Sequence, residues 1–246
     1  MLLKDILNPI NQTSFIYNAV IGQKLVHIKS ENPNIYSTLI NDSIIDNYLN
    51  KVSQGRKHPF NRSFKFEDMI DYVPGSPMRG TDHFGTDDGK PKSCETITNF
   101  YKILNNGHTV IIKDIGRFKD EGEPIYKLLK GINAIFKSSG RLWCNLFISK
   151  SRNALAPHVD KHAIIVLQYK GEKNWDFFGE VSDWKTNNPV HKIVLKQGDF
   201  LYFPKWAPHY ATTSPGIETG HATIEIPSDY SRYAKFPQEW LGSQSK

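Results

Sequence analysis

The chain has 246 residues, of which 39% are apolar and 12% aromatic, and its formal net charge is +6 at pH 7. This length and composition predict one compact globular unit and exclude a fibrous or disordered chain. The sequence has no apolar run long enough for a membrane span, and its start, MLLKDILNPINQ, is too short and polar for a signal peptide. We therefore expect a cytoplasmic protein without a membrane partner. Its basic residues are scattered, so a nucleic-acid partner is permitted but not favoured.

The first 96 residues predict elements that flank and pack on a larger unit. The stretch FIYNAVIGQKLVHIKS predicts an early strand or strand pair, and NPNIYSTLINDSIIDNYLNKV has the spacing of a helix behind Asn-Pro. Residues 72–92 are crowded with Gly, Pro, Asp and Ser, which indicates a long loop. Loops of this length are typical of lids or binding loops, so this loop is a candidate lid.

From residue 97 the pattern becomes regular. TNFYKILNNGHTVIIKDIG predicts a helix, a turn and a strand, and EPIYKLLKGINAIFKSSG predicts an amphipathic helix that ends at Gly140. Short strands separated by turn residues follow: RLWCNLFIS, HAIIVLQY, KNWDFFGEV, HKIVLKQGDFLYFP, HYATTS and HATIEIP. This spacing indicates a mainly β sandwich or small barrel with some helix. We expect the barrel to occupy residues 97–230, followed by a tail at 231–246.

Three residues form a candidate metal site. His158 and Asp160 are two residues apart where a predicted core strand opens, so in an extended chain they face the same side. His209 follows the segment GDFLYFPKWAP and supplies a third donor. Two imidazoles and one carboxylate are the set that selects non-haem Fe(II) and leaves positions open for oxygen chemistry. The His-x-Asp tripeptide alone is weak evidence, because by itself it is better explained by a buried hydrogen-bonded pair.

Several separated motifs strengthen this interpretation, because they occur in a familiar order. From about Asn99 to Ile226 the chain resembles the JmjC/cupin-type 2-oxoglutarate oxygenases, most closely their ribosomal-oxygenase branch. The motifs that carry the resemblance are LWCNLFIS, APHVDKHAIIVLQYKGEKNW, VLKQGDFLYFPKWAPHYATT and HATIEI. The resemblance implies a double-stranded β-helix of the cupin or jelly-roll type, with flanking N-terminal helices. It also implies Fe(II) and 2-oxoglutarate as cofactors.

The resemblance assigns roles to five residues. His158, Asp160 and His209 match the iron ligands of the family. Lys173 matches the basic residue that pairs with the distal carboxylate of 2-oxoglutarate, although a surface lysine in a hairpin is the plainer alternative. Asn145 matches a polar residue beside the cofactor, and a hydrogen-bonded core amide is the alternative there.

Two other histidines lie close to these motifs. His162 follows Asp160 by two residues and offers an alternative third ligand, but in the family that ligand comes from a distant strand. His221 lies on the last predicted strand and is more readily explained as a core residue or a neighbour of the metal ligands.

The resemblance implies a dioxygenase that uses O₂ to hydroxylate an amino-acid or peptide/protein side chain, releasing succinate and CO₂. Members of the ribosomal-oxygenase branch carry further domains after the barrel, and the residues after His209 are too few for them. Two alternatives therefore stay open: a tRNA-nucleoside hydroxylase of the same fold, and a non-catalytic metal-binding cupin. A homodimer is permitted by the sequence but not indicated by it.

Overall fold

The computed structural model describes residues 3–7, 12–54, 65–73, 92–117, 123–136, 138, 140–150, 157–180, 183, 187–214 and 216–227. The helices among them are α1 (Leu3–Ile6), α2 (Gln12–Phe15), α3 (Asp42–Ser53), α4 (Phe66–Met69), α5 (Ile97–Asn105) and α6 (Glu123–Phe136), with a π-helix at Ile16–Ile21 and a 3-10 helix at Ile115–Arg117. The strands are β1 (Val26–Ile28), β2 (Ile70–Val73), β3 (Lys92–Ser93), β4 (Thr109–Ile112), β5 (Trp143–Ser149), β6 (Ala163–Lys170), β7 (Glu172–Phe177), β8 (His191–Lys196), β9 (Phe200–Phe203), β10 (His209–Thr212) and β11 (Thr219–Ile226).

The strands form two antiparallel sheets. The larger sheet has eight strands in the order β1-β9-β6-β11-β5-β4-β2-β3, and the smaller has the order β10-β7-β8. Consecutive strands β6 and β7 belong to different sheets, as do β8 and β9, so the chain passes repeatedly between the two layers. This arrangement is the double-stranded β-helix that the sequence resemblance predicts.

The larger sheet is buried on both faces, and strand β6 shows how. Ile164 and Val166 belong to the cluster between the two sheets, together with Trp175 of the smaller sheet. Ile165 and Leu167 point the other way, into the main core under the helices. Because side chains alternate along a strand, a strand covered on both sides must be apolar throughout, which explains the run AIIVL.

Aromatic residues fix the helices to the outer face of this sheet. Phe15 at the end of α2 contacts Phe136 of α6, Phe200 and Tyr202, with ring centroids 5.9, 5.6 and 5.6 Å away in edge-on geometry. Phe136 also lies 5.9 Å from Tyr202. Edge-to-face aromatic pairs of this kind add to the stabilisation that burial provides, so this cluster holds the N-terminal helices on β9.

The N-terminal prediction was wrong at one place. The segment Ile16–Ile21 was predicted as a strand, but it forms a π-helix that continues α2, and only Val26–Ile28 is extended. A short apolar run has no decisive period, so the sequence does not separate a helix from a strand here. The helix predicted behind Asn-Pro begins at Asp42, where the side chain of Asn41 accepts a hydrogen bond from the Ile44 amide at 2.9 Å.

The helix predicted to end at Gly140 ends at Phe136. Residues 74–91 of the predicted lid, and the predicted tail at 231–246, lie outside the described residues. The division at residue 96 stays a prediction, although β1, β2 and β3 share one sheet with the later strands. In the described part of the chain, no helix is long and apolar enough to cross a membrane.

Gly171 makes the passage from the larger sheet to the smaller one, between β6 and β7. Its φ is +62°, and a Cβ added there would lie 2.2 Å from the Glu218 carbonyl oxygen. Gly171→Ala should therefore lower the free energy of unfolding by about 2 kcal/mol or more, since it adds a backbone clash to the cost of a left-handed alanine.

Gly131 is the matched control, because it lies within α6 and a Cβ there would meet nothing within 4 Å. Gly131→Ala should raise the free energy of unfolding by about 0.5–1 kcal/mol. Urea denaturation of both variants measures the two effects. Equal stability of the two variants would contradict the described passage between the sheets.

Candidate active site

Two chain segments that are distant in sequence meet through His158 and His209. The His158 amide donates to the His209 carbonyl and the His209 amide donates to the His158 carbonyl, each at 3.0 Å. This isolated antiparallel bridge sets the two imidazoles close together, with ring centroids 4.3 Å apart. The nearby amide of Trp206 donates to the Asp160 carbonyl at 2.8 Å, which ties the turn before His209 to the other segment.

The turn before His209 carries backbone strain. Trp206 has a φ of +66°, a conformation that a bulky side chain rarely adopts and that costs about 1–2 kcal/mol. The hydrogen bond to Asp160 holds Trp206 in this conformation, and it directs the chain into β10 with His209 facing the interior. The strain is thus coupled to the placement of a site residue.

The predicted triad is assembled. Nε2 of His158 lies 3.9 Å from Oδ1 of Asp160, and Nε2 of His209 lies 3.6 Å from Oδ2. One donor atom from each residue lies within 4.8 Å of the others, and no other such cluster of three potential ligands occurs among the described residues. The strand itself begins later than predicted, at Ala163, so the His158 bridge rather than a continuous strand aligns the pair.

A backbone carbonyl sets the tautomer of His209. Nδ1 of His209 lies 2.9 Å from the carbonyl oxygen of Ala207, and a carbonyl can only accept, so Nδ1 carries the proton. Nε2 is then left with its lone pair directed at Asp160, as a metal ligand requires. Burial and the neighbouring His158 lower the pKa of His209 to about 3, so the ring is neutral at physiological pH.

The Asp160 carboxylate is poorly compensated by the protein. Burial raises its pKa, and the positive charges that oppose this are those of His158 and His162 when protonated. Among the described residues, neither lysine nor arginine pairs with it. A buried carboxylate beside two imidazoles fits a divalent cation, because the ion supplies a positive charge that no lysine or arginine among the described residues provides.

The triad opens into a cavity of about 340 Å³ between the two sheets. Its lining combines the triad with polar residues of β11, β5, β4 and β2 and with aromatic residues of both sheets: Asp71, Thr109, Ile111, Lys113, Asn145, Phe147, His158, Asp160, Ile164, Lys173, Trp175, Phe203, His209, Ala211, His221, Thr223 and Glu225. This volume suits a small molecule, and the mixture of apolar walls with a few converging polar groups is typical of ligand sites.

Lys173 lies in this cavity and is 4% exposed, so the alternative of a surface lysine in a hairpin is wrong. Burial lowers its pKa to about 7. The described residues provide no carboxylate as its partner. The titratable neighbour that it affects is His221, whose pKa burial and Lys173 together push well below the usual value. An uncompensated ammonium in an apolar cavity fits an anionic ligand.

His221 lies beside Lys173 and is 3% exposed. Its ring stacks on Phe147 with centroids 4.9 Å apart and an angle of 3°, and it meets Trp175 edge-on at 5.6 Å. The structure thus places it in the cavity wall rather than in the triad. Its Nδ1 is buried and has no partner among the described residues.

Asn145 also lines the cavity, on β5. Its Oδ1 accepts from the Asp114 amide and its Nδ2 donates to Oε1 of Glu225, both at 2.9 Å. These contacts are those of the hydrogen-bonded amide that the sequence left as an alternative. A direct contact with the cofactor stays a prediction.

Glu225 and Thr223 were missed in the sequence. The signal was present in the strand TGHATIEI, where polar residues alternate with the buried Ala222, Ile224 and Ile226. Polar side chains along one face of a buried strand indicate that this face lines a solvent-filled cavity rather than packing against apolar residues.

Because the Lys173 ammonium is buried, we expect its removal to change the free energy of unfolding in a pH-dependent way. A lysine with a folded pKa near 7 is charged in the unfolded chain up to about pH 10, so its burial destabilises the folded state at every pH below that value. The penalty is largest below pH 7 and shrinks as the pH rises towards 10. Lys173→Met should raise the free energy of unfolding by a few kcal/mol at pH 6 and by less at pH 9.

Denaturant titrations at both pH values measure this difference. Lys24→Met, at an exposed position, is the control and should change stability little at either pH. A loss of stability in Lys173→Met at pH 6 would show that the buried ammonium has a partner in the folded protein.

Comparisons with known proteins agree with this geometry. Residues 127–232 match the JmjC domain family. Ribosomal oxygenase 2 of Bos taurus is 31% identical over 121 residues, which cover 44% of this chain and 25% of that protein. The bifunctional lysine-specific demethylase and histidyl-hydroxylase NO66 of Dictyostelium discoideum is 22% identical over 226 residues, which cover 85% of this chain and 39% of that protein. The chain thus spans less than half the length of either relative.

A solved structure shares the fold. The ribosomal oxygenase YcfD of Escherichia coli, in complex with cobalt and 2-oxoglutarate, superposes with a TM-score of 0.56 at 15% identity and covers 91% of this chain and 54% of that one. At this identity the likeness shows the fold alone. The double-stranded β-helix predicted from the sequence is confirmed, and residues 127–232 of this fold are similar to the JmjC domain.

Proposed function

We propose that this chain is an Fe(II)- and 2-oxoglutarate-dependent dioxygenase that hydroxylates an amino-acid or peptide/protein side chain. The observation that carries the proposal is the joint placement of the His158, Asp160 and His209 cluster and the unpaired Lys173 in one cavity of the described part of the chain. A metal site alone would fit a storage or binding cupin. A buried cation in the same cavity as the metal site adds a place for a carboxylate, which 2-oxoglutarate has at the end distant from its chelating atoms.

Different residues would hold the iron and the 2-oxoglutarate. His158, Asp160 and His209 would hold the iron, and the Ala207 carbonyl keeps Nε2 of His209 free for it. Three protein ligands leave open positions on a six-coordinate ion. When bound, iron and 2-oxoglutarate together supply the oxidising power, with O₂ consumed and succinate and CO₂ released.

Lys173 would hold the distal carboxylate of 2-oxoglutarate. Its ammonium is already desolvated, so little hydration is lost when the carboxylate arrives, and a close ion pair forms in a region of low dielectric constant. The carboxylate would raise the pKa of Lys173 from about 7 and keep the ammonium charged.

The apolar walls of the cavity would exclude water from the reacting atoms. Trp175, Phe203 and Phe177 surround His209 with ring centroids 5.8, 4.7 and 6.1 Å from the imidazole. These contacts hold the imidazole in place and leave it no room to rotate away from the metal position.

Succinate formation from 2-oxoglutarate tests the proposal. The Fe(II)-loaded wild type should release succinate slowly in air without added substrate. His158→Ala should abolish this release because one ligand is lost, and Lys173→Ala should require at least tenfold more 2-oxoglutarate because the carboxylate loses its counter-charge.

His162→Ala is the matched control, because His162 lies near the triad but outside the cluster of potential ligands. It should keep both the rate and the concentration dependence of the wild type. Absence of succinate release together with absence of 2-oxoglutarate binding by the wild type would contradict the proposal and favour a non-catalytic cupin.

A further inference from the structure

Three buried polar side chains form one cluster in the cavity wall. Lys173, Trp175 and His221 all line the cavity, and their exposed fractions are 4%, 3% and 3%. Lys173 and Trp175 alternate along β7 and share its buried face, so their Cα atoms lie about 7 Å apart. The His221 ring meets the indole of Trp175 edge-on at 5.6 Å, and the charge of Lys173 acts on the same imidazole.

Two nitrogen atoms of this cluster are not used by the described part of the protein. Nε1 of Trp175 and Nδ1 of His221 are buried and have no hydrogen-bond partner among the described residues. The indole nitrogen can only donate, and the neutral imidazole donates from Nδ1 in one of its two tautomers. Buried donors without acceptors destabilise the folded state, so the cluster fits a group that brings acceptor oxygens.

Lys173 adds a nucleophile to these two donors. The described residues provide no carboxylate to hold its ammonium, and burial lowers its pKa to about 7, so much of the amine is neutral at physiological pH. A desolvated, neutral lysine amine attacks electrophilic carbon. Carbon dioxide is small enough to enter the cavity of about 340 Å³, and the reaction proposed above releases it there.

We propose that Lys173 is a modification site, to which CO₂ adds reversibly when 2-oxoglutarate is absent. The lone pair of Nζ forms a bond to the carbon of CO₂, and one C=O π pair moves onto oxygen. The amine releases one proton to water, which leaves a carbamate with a single negative charge, and no oxidant or reductant is consumed. The carbamate oxygens accept hydrogen bonds from Nε1 of Trp175 and Nδ1 of His221.

The carbamate reverses the charge at Lys173. The distal carboxylate of 2-oxoglutarate then meets an anion instead of its counter-charge, so the modified protein does not bind it there. Bound 2-oxoglutarate in turn keeps the ammonium protonated and protects it from CO₂. This competition rests on the proposed function, whereas formation of the carbamate does not.

Chemical trapping with isotope-labelled bicarbonate tests the proposal. The Zn(II)-loaded protein without 2-oxoglutarate is equilibrated with the label and treated with triethyloxonium, which converts a carbamate into a stable ethyl ester, and peptide mass spectrometry locates the ester. We expect the labelled fraction at Lys173 to exceed that at the exposed Lys24 about tenfold or more, because an exposed lysine stays protonated. Saturating 2-oxoglutarate should remove the label from Lys173.

Variants test the two donors. Trp175→Phe removes Nε1 but keeps an aromatic ring, and it should raise the CO₂ concentration that half-modifies Lys173 about tenfold, because hydrogen bonds to charged acceptors are strong. His221→Phe keeps a ring against Phe147 and should act in the same direction. Trp143→Phe is the matched control at an exposed position outside the cavity lining, and it should keep the CO₂ dependence of the wild type.

The proposal is overturned if Lys173 carries no labelled ester, if Lys24 is labelled to the same extent, or if both Trp175→Phe and His221→Phe keep the wild-type CO₂ dependence. An unlabelled Lys173 in a protein that binds 2-oxoglutarate and forms succinate would overturn this inference alone. A label on Lys173 that saturating 2-oxoglutarate does not reduce would keep the carbamate and contradict the place that the proposed function gives to 2-oxoglutarate.

Discussion

The pairing of His158 with His209 is the contact on which the rest of the site depends. It joins a segment that precedes β6 of the larger sheet to the first residue of β10 in the smaller sheet, through two backbone hydrogen bonds of 3.0 Å. Because the register of this bridge is fixed, the two imidazoles and the carboxylate of Asp160 converge on one point. A shift by one residue would turn His209 to the other face of its strand and dismantle the cluster.

The cavity beyond this bridge holds charges that the protein leaves unbalanced. Lys173 is buried and Glu225 is half-buried, and both lack partners of opposite charge among the described residues. They are not paired with each other, because Lys173 acts on His221 whereas the charged neighbour of Glu225 is Asp160. Both unpaired charges lower the stability of the folded state, as is common in sites that bind charged ligands.

Much of the fold could be predicted from the sequence, because a sheet that is buried on both faces requires strands with uninterrupted apolar runs. The apolar run in β6 and the short strands between turn residues predicted the barrel, and the sequence predicted that His158, Asp160 and His209 act together. The sequence could not show that Lys173 is buried, since the hairpin around it has the composition of an exposed turn. It also could not distinguish helix from strand at Ile16–Ile21, because a short apolar run has no decisive period.

Glu225 illustrates a different limit. Its strand was predicted correctly, and the alternation of polar and apolar residues was visible, but the sequence does not show what the polar face meets. Only the pairing of Glu225 with Trp143 on β5 and Ile164 on β6 places it over the cavity. The sequence thus shows that a residue is charged. Only the structure shows whether a residue of opposite charge lies next to it.

Anaerobic titration of 2-oxoglutarate into the Fe(II)-loaded protein, followed by visible absorption, tests the central claim most directly. Chelation of the iron by the keto acid should produce a metal-to-ligand charge-transfer band that saturates at one equivalent, and Asp160→Ala should not form it. If 2-oxoglutarate binds without such a band, or does not bind, the triad and Lys173 do not form one site, and the proposed oxygenase chemistry is contradicted.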